Sequence, residues 1–98
     1  MLNVEAPVVA GQSAMEAAGA ATTGAMLAGT SPAMVGVMPM GGEEVSAMLA
    51  AAIESHSAQF LAVTGVAVAQ RAMLAAQIGT SAAVYTTSNA LSAASLAL

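Results

Sequence analysis

The single histidine of the chain is the first residue whose chemistry could support a reaction. His56 lies near Ser46, Ser55 and Ser57, and a histidine that takes the proton of a serine hydroxyl is central to many hydrolase sites. The sequence contains no Asp to orient such a histidine and no Gly-x-Ser-x-Gly turn to present a nucleophile. Because His56 and these serines also share one predicted helix, we expect no catalytic residue.

A metal site is the second chemistry to consider. The carboxylates nearest to His56 in sequence are Glu54, Glu43 and Glu44, and their helical offsets do not bring them to its face. The chain has no Cys, which excludes thiolate ligands, disulfides and thiol catalysis. We therefore expect no metal and no cofactor. His56 is predicted either to form a hydrogen bond within a helical interface or to keep its ring edge in water.

Composition indicates that the chain needs a protein partner. One Arg, no Lys and five Glu give a formal net charge of −4 over 98 residues, which argues against nucleic acid as a ligand. The apolar content of 58% is largely alanine, with one Phe, one Tyr and no Trp. Burying a methyl group contributes about 0.8 kcal/mol, whereas ordering a residue costs about 1.5 kcal/mol. We expect a partner protein, and no small-molecule substrate, to complete the core.

The mean hydropathy of +0.82 raises a membrane alternative. Residues 17–42 and 72–98 carry no charge, and two such stretches would suit a hairpin of two transmembrane helices acting as a pore or anchor. The first stretch is interrupted by glycines and a proline, the second contains several Ser and Thr, and no Lys or Arg flanks set a topology. A soluble hairpin is therefore favoured. The N-terminus has no basic region, so we expect no Sec-type signal peptide.

Breaker residues divide the chain into two helical segments within a single domain, residues 1–98. We predict helix 1 at about 7–30, a loop at 31–42, helix 2 at about 43–88 and a tail at 89–98. Pro7 suits a first helical turn, and Gly42 is the predicted N-cap of helix 2, with Glu43 and Glu44 in its first turn. The predicted fold is all-α, an antiparallel two-helix hairpin that completes a helical bundle with a partner.

The larger side chains recur at helical spacing on one face of each segment. This pattern predicts contacts with the other helix or with the partner. The predicted interface residues are Val8, Met15, Met26, Val45, Met48, Leu49, His56, Phe60, Val63, Leu74 and Ile78. Arg71, at the edge of this face, is predicted either to pair with a partner carboxylate or to remain solvated. Met34, Met38 and Met40 are predicted to form an apolar tip.

The segment GVMPMGGEEVSA at residues 36–47 resembles the middle of the mycobacterial PE family, in which a Val-Pro turn leads into an Asp/Glu-Glu-Val-Ser helix start. Pro7 resembles the proline of the Pro-Glu signature, although Val8 follows it in this chain. His56 and Phe60 resemble a His and aromatic pair of the second helix. Tyr85 resembles the tyrosine of a Tyr-x-x-x-Asp/Glu export signal, with Asn89 at the acidic position.

This resemblance implies a hairpin that pairs 1:1 with a PPE-family protein in a heterodimeric helical bundle. It also implies assembly in the cytoplasm, a chaperone that binds the PPE partner, and export of the pair by a type VII secretion system. The chain would then be secreted or held at the cell surface. Tyr85 and Asn89 would mark the export signal.

Overall fold

The computed structural model describes residues 2–97, which form two α-helices and no strand. Helix α1 spans Ala6–Val35 and helix α2 spans Glu44–Leu96. The predicted all-α class is confirmed. Residues 36–43 connect the two helices without regular structure.

Helix α1 ends at Val35 rather than near residue 30, so the predicted start of the loop is wrong. Pro32 lies inside the helix, where it removes one backbone donor. The helix continues because the residues after Pro32 still have donors, and the Gly36 N–H reaches Pro32 O at 3.0 Å. Pro7 lies in the first turn, where its missing N–H leaves no carbonyl unpaired.

Helix α2 begins at Glu44, so its N-cap is Glu43 and not Gly42. The Ala47 N–H donates to Glu43 O at 3.3 Å, and the Ser46 hydroxyl donates to the Glu43 carboxylate. This hydrogen bond, followed by one from the backbone N–H of Glu43, lowers the pKa of the Glu43 carboxyl. The Glu43 carbonyl thus accepts the first helical hydrogen bond, and the exposed Glu43 carboxylate is held by Ser46.

Helix α2 runs through Leu96, so the predicted tail at residues 89–98 is helical as far as that residue. The helix accommodates the polar residues 86–88, and two of their hydroxyls bond to carbonyls one turn back. Thr86 Oγ1 donates to Ala82 O at 3.0 Å and Thr87 Oγ1 donates to Ala83 O at 3.3 Å. The alanines that follow favour continued helix.

The chain divides into two compact units, Met1–Ala20 with Gln70–Leu98 and Ala21–Ala69. In the first unit, Ser13 bonds to Ala75 while Val4 bonds to Asn89, so the two helical segments are antiparallel. In the second unit, residues 24–31 of α1 and 61–68 of α2 line one groove of about 230 Å³. The single-domain organisation stays a prediction.

Small residues form the buried part of each unit. Among residues 2–97, the buried side chains are Ala6, Ala20, Ala50, Ala75, Ala82 and Ser57. Ser13 Oγ donates to Ala75 O at 2.6 Å, and a Cβ added at Gly79 would lie 3.2 Å from Ser13 Oγ. The helices of the first unit approach closely because no bulky side chain separates them.

Candidate functional site

Nearly all of the predicted interface residues are exposed. The large hydrophobic members range from Phe60, 45% exposed, to Val45, 74% exposed. His56 is exposed as well, and Ile78 is half-buried. Met15 and Met26 are also solvent-facing, so they do not pack against the other helix. Each unit leaves the bulkier apolar side chains outside and buries alanine.

The first unit shows this division on both of its helical segments. In α1, Ala6 and Ala20 are buried whereas Val8 and Met15 are exposed. In α2, Ala75 and Ala82 are buried whereas Leu74, Met73 and Val84 are exposed. Helical periodicity separates the two sets, because side chains three or four positions apart share a face. The exposed set is an apolar surface without an occupant among the described residues.

The second unit has a comparable apolar surface near the start of α2. Val45, Met48, Leu49 and Val63 are exposed, whereas Ala50 and Ser57 are buried. The connecting segment adds to this surface. Its residues Val37, Met38, Pro39 and Met40 line a small groove of about 100 Å³ with Ser46, Leu49, Ala50 and Ile53 of α2. Met38 and Met40 are largely exposed, whereas Met34 is half-buried.

Arg71 pairs within the chain, and the predicted choice between a partner carboxylate and solvent is wrong. Its Nε lies 2.9 Å from Glu16 Oε2, and Gln12 Nε2 donates to Glu16 Oε1 at 3.1 Å. Gly19 leaves space for the guanidinium, because a Cβ there would lie 2.6 Å from Arg71 Cζ. As Arg71 is the only Lys or Arg, the other four Glu have no basic side chain of the chain to pair with.

The predicted export-signal residues lie at the end of the first unit. Tyr85 is 41% exposed. Asn89 is half-buried and its side chain makes two hydrogen bonds to the backbone of Val4. This contact was not predicted from the sequence, because 85 positions separate the two residues and neither belongs to a local pattern.

The structure brings no reactive constellation together around His56. Ser57 is buried while His56 is exposed, so the neighbouring hydroxyl and the imidazole lie on different sides of α2. Within residues 2–97, no group of three or more His, Asp or Glu side chains is arranged to hold a metal ion.

Helix α2 is also long and apolar enough to cross a membrane, judged by length and composition alone. It contains an 18-residue window of mean hydropathy 1.4, of which 6% is buried. Among the described helices it is the one that meets these criteria. Apolar helices of soluble proteins meet these criteria too, so length and hydropathy are weak evidence for a membrane span.

Comparison with known proteins supplies a family. Neither the curated proteins nor the solved structures gave a match. The family model described as "PE family" matches residues 2–92, which cover both helices and their connection. The match includes the segment at 36–47 and the positions of Pro7, His56 and Tyr85. The chain therefore belongs to the PE family.

Proposed function

We propose that the chain is a non-enzymatic interaction module that forms a 1:1 heterodimer with a PPE-family protein. The observation that carries this proposal is the exposure of the larger apolar side chains, while both units bury alanine. The PE family is a non-catalytic interaction family that generally pairs with PPE proteins, which supports the assignment. Burying the exposed residues on the partner would complete the core that alanine leaves thin.

The partner should present an apolar helical face to these surfaces. It should also tolerate or neutralise carboxylates, because Glu43, Glu44 and Glu54 of the second unit have no basic side chain within the chain. Complementary charges at the rim of an apolar contact guide association and partner choice more than they add affinity. Specificity would thus combine apolar shape with basic groups on the partner.

Co-expression with a PPE-family protein from the same genome tests the heterodimer. We expect a 1:1 complex by size-exclusion chromatography with light scattering, and we expect Val63→Glu to prevent it because an unpaired carboxylate would be buried. Ala58→Glu is the matched control, since Ala58 is exposed on α2 away from the larger side chains. If Val63→Glu and Ala58→Glu both form the complex normally, the proposed surface is wrong.

We further propose that the pair is assembled in the cytoplasm, where a chaperone binds the PPE partner, and is exported by a type VII secretion system to the cell surface or medium. The exposure of Tyr85 in the first unit, and its resemblance to the export tyrosine of the family, support this step. Tyr85→Ala should abolish secretion while leaving the heterodimer intact. Unchanged secretion of this variant would remove Tyr85 from the mechanism.

The length and hydropathy of α2 favour one alternative, a membrane hairpin that acts as a pore or anchor. Carbonate extraction of membranes from cells that express the chain distinguishes the two functions. A heterodimer subunit is released into the supernatant, whereas a spanning hairpin remains in the pellet. Retention in the pellet in the presence of the PPE protein would favour the membrane function.

A further inference from the structure

The side chain of Asn89 forms hydrogen bonds with both backbone polar groups of Val4, its N–H and its carbonyl oxygen. Its Oδ1 accepts the Val4 N–H at 3.2 Å, and its Nδ2 donates to Val4 O at 2.7 Å. Val4 and Asn89 are both half-buried. A single side chain thus bonds both backbone polar groups of a residue that precedes α1, and the Val4 carbonyl also accepts the Ala6 N–H at 2.8 Å.

A side-chain amide is suited to this pairing because it carries a donor and an acceptor side by side. A carboxylate at position 89 would still accept the Val4 N–H. It would lose the donor, however, and would place a negative charge beside the Val4 carbonyl oxygen. An acid at this position is therefore incompatible with the observed pair of hydrogen bonds.

The pairing fixes the extended segment at residues 2–5 against α2. Leu2 of this segment lines an open groove of about 500 Å³ with the last turns of α2, namely Ser88, Leu91, Ser92, Ser95 and Leu96. Tyr85 precedes Asn89 by four residues, and side chains at that spacing share a helix face. The segment is thus held on the face of α2 that carries Tyr85.

We propose that Asn89 is a positioning residue that latches residues 2–5 onto this face, and that export depends on the latch rather than on a charge at position 89. The inference rests on the proposed export function. It deepens that function by making residues 2–5 part of the surface, around Tyr85, on which export depends. Its consequence is specific: Asn89→Asp, which supplies the acid of the family's export signal, lowers export instead of raising it.

Amide hydrogen exchange of the N-terminal peptide in the purified complex tests the latch itself. The variants are Asn89→Asp and Asn89→Ala. Asn3→Asp is the control, because it adds the same charge within residues 2–5 without removing a hydrogen bond of Asn89. Asn89→Asp loses the net contribution of one hydrogen bond, which corresponds to opening of the latch, and exchange at Val4, about five-fold faster. Asn89→Ala loses both hydrogen bonds and should exchange faster still. Exchange equal to that of the wild type and Asn3→Asp would overturn the latch.

Secretion of the pair, measured as its ratio between medium and cells, tests the role in export. We expect Asn89→Asp and Asn89→Ala both to reduce secretion, Asn89→Ala at least as strongly, with Asn3→Asp at the wild-type level and all complexes intact. Normal or increased secretion of Asn89→Asp, with the latch lost, would overturn the positioning role. Failure of the wild-type pair to leave the cell would instead reject the proposed export, and exchange would then show whether the latch alone persists.

Discussion

The position of the Arg71 side chain depends on the absence of a side chain at Gly19. Its guanidinium lies over Gly19 and pairs with Glu16, so the only cation of the chain is used inside the first unit. The Arg71 and Glu16 side chains are 42% and 22% exposed, and an ion pair of this kind contributes roughly 0 to 1 kcal/mol. Gly19 is thus kept at some cost in helix propensity to leave room for a weak contact.

Replacing glycines of α1 by alanine measures that contact. Gly11→Ala should raise the free energy of unfolding by about 1 kcal/mol, because helix propensity improves and nothing lies within 4 Å of the added Cβ. Gly19→Ala should gain about 0.5 kcal/mol less, since the guanidinium must move away from Glu16. Urea unfolding of the heterodimer at one fixed concentration, followed by circular dichroism, gives both values. Equal gains would show that Arg71 readjusts without losing its partner.

The N-cap of α2 gives a second prediction for a single residue, in its dependence on pH. The Ser46 hydroxyl lowers the pKa of Glu43, so ionised Glu43 stabilises the helix start above its ordinary pKa. This contribution is lost as pH falls through the lowered pKa of the folded state. Ser46→Ala should raise the pKa of Glu43 in an NMR titration, whereas Ser55→Ala, an exposed serine of the same helix, should not change it. An unchanged Glu43 pKa in Ser46→Ala would contradict the hydrogen bond from Ser46 as its cause.

At the scale of the helices, the sequence predicted both elements but neither of their far ends. Pro32 and the polar residues before Asn89 are ordinary stop signals, and both helices continue past them. Near the end of α2, Thr86 bonds to a carbonyl of its own helix and Asn89 bonds to the distant Val4. No local sequence pattern reveals the contact with Val4. The larger side chains were predicted to form an interface, yet only the structure shows that the helices meet through alanine, serine and glycine instead.

The close approach of the two helical segments in the first unit makes Gly79 sensitive to size. Gly79→Leu would drive its side chain toward Ser13 and should destabilise the protein by about 1 to 3 kcal/mol through overpacking. Gly65→Leu is the control, because nothing lies within 4 Å of a Cβ there and helix propensity improves. The midpoint of thermal unfolding of the heterodimer should therefore shift in opposite directions in the two variants. A gain of stability in both variants would show that the helices readjust around position 79 to make room for the larger side chain.

The exposed surface of the whole molecule is large for its mass. The chain exposes 6815 Å², whereas a folded monomer of 9.4 kDa exposes about 5,000 Å². The excess of about 1,800 Å² falls in the range that one subunit contributes to an obligate interface. No side chain among residues 2–97 is below 2% exposed, so the chain has little core of its own. In the proposed heterodimer, an apolar face of the partner would cover this excess.

Stability should therefore depend on the partner. Alone, the chain should unfold over a broad temperature range and bind a hydrophobic dye, because its larger apolar side chains face water. In the complex, unfolding should be cooperative, and an excess of free partner at about 100 times the dissociation constant should add about 2.7 kcal/mol. Calorimetry at increasing partner concentration measures this dependence. A monodisperse monomer that melts cooperatively without partner would show that the alanine-lined contacts suffice, and the exposed surface would then need another explanation.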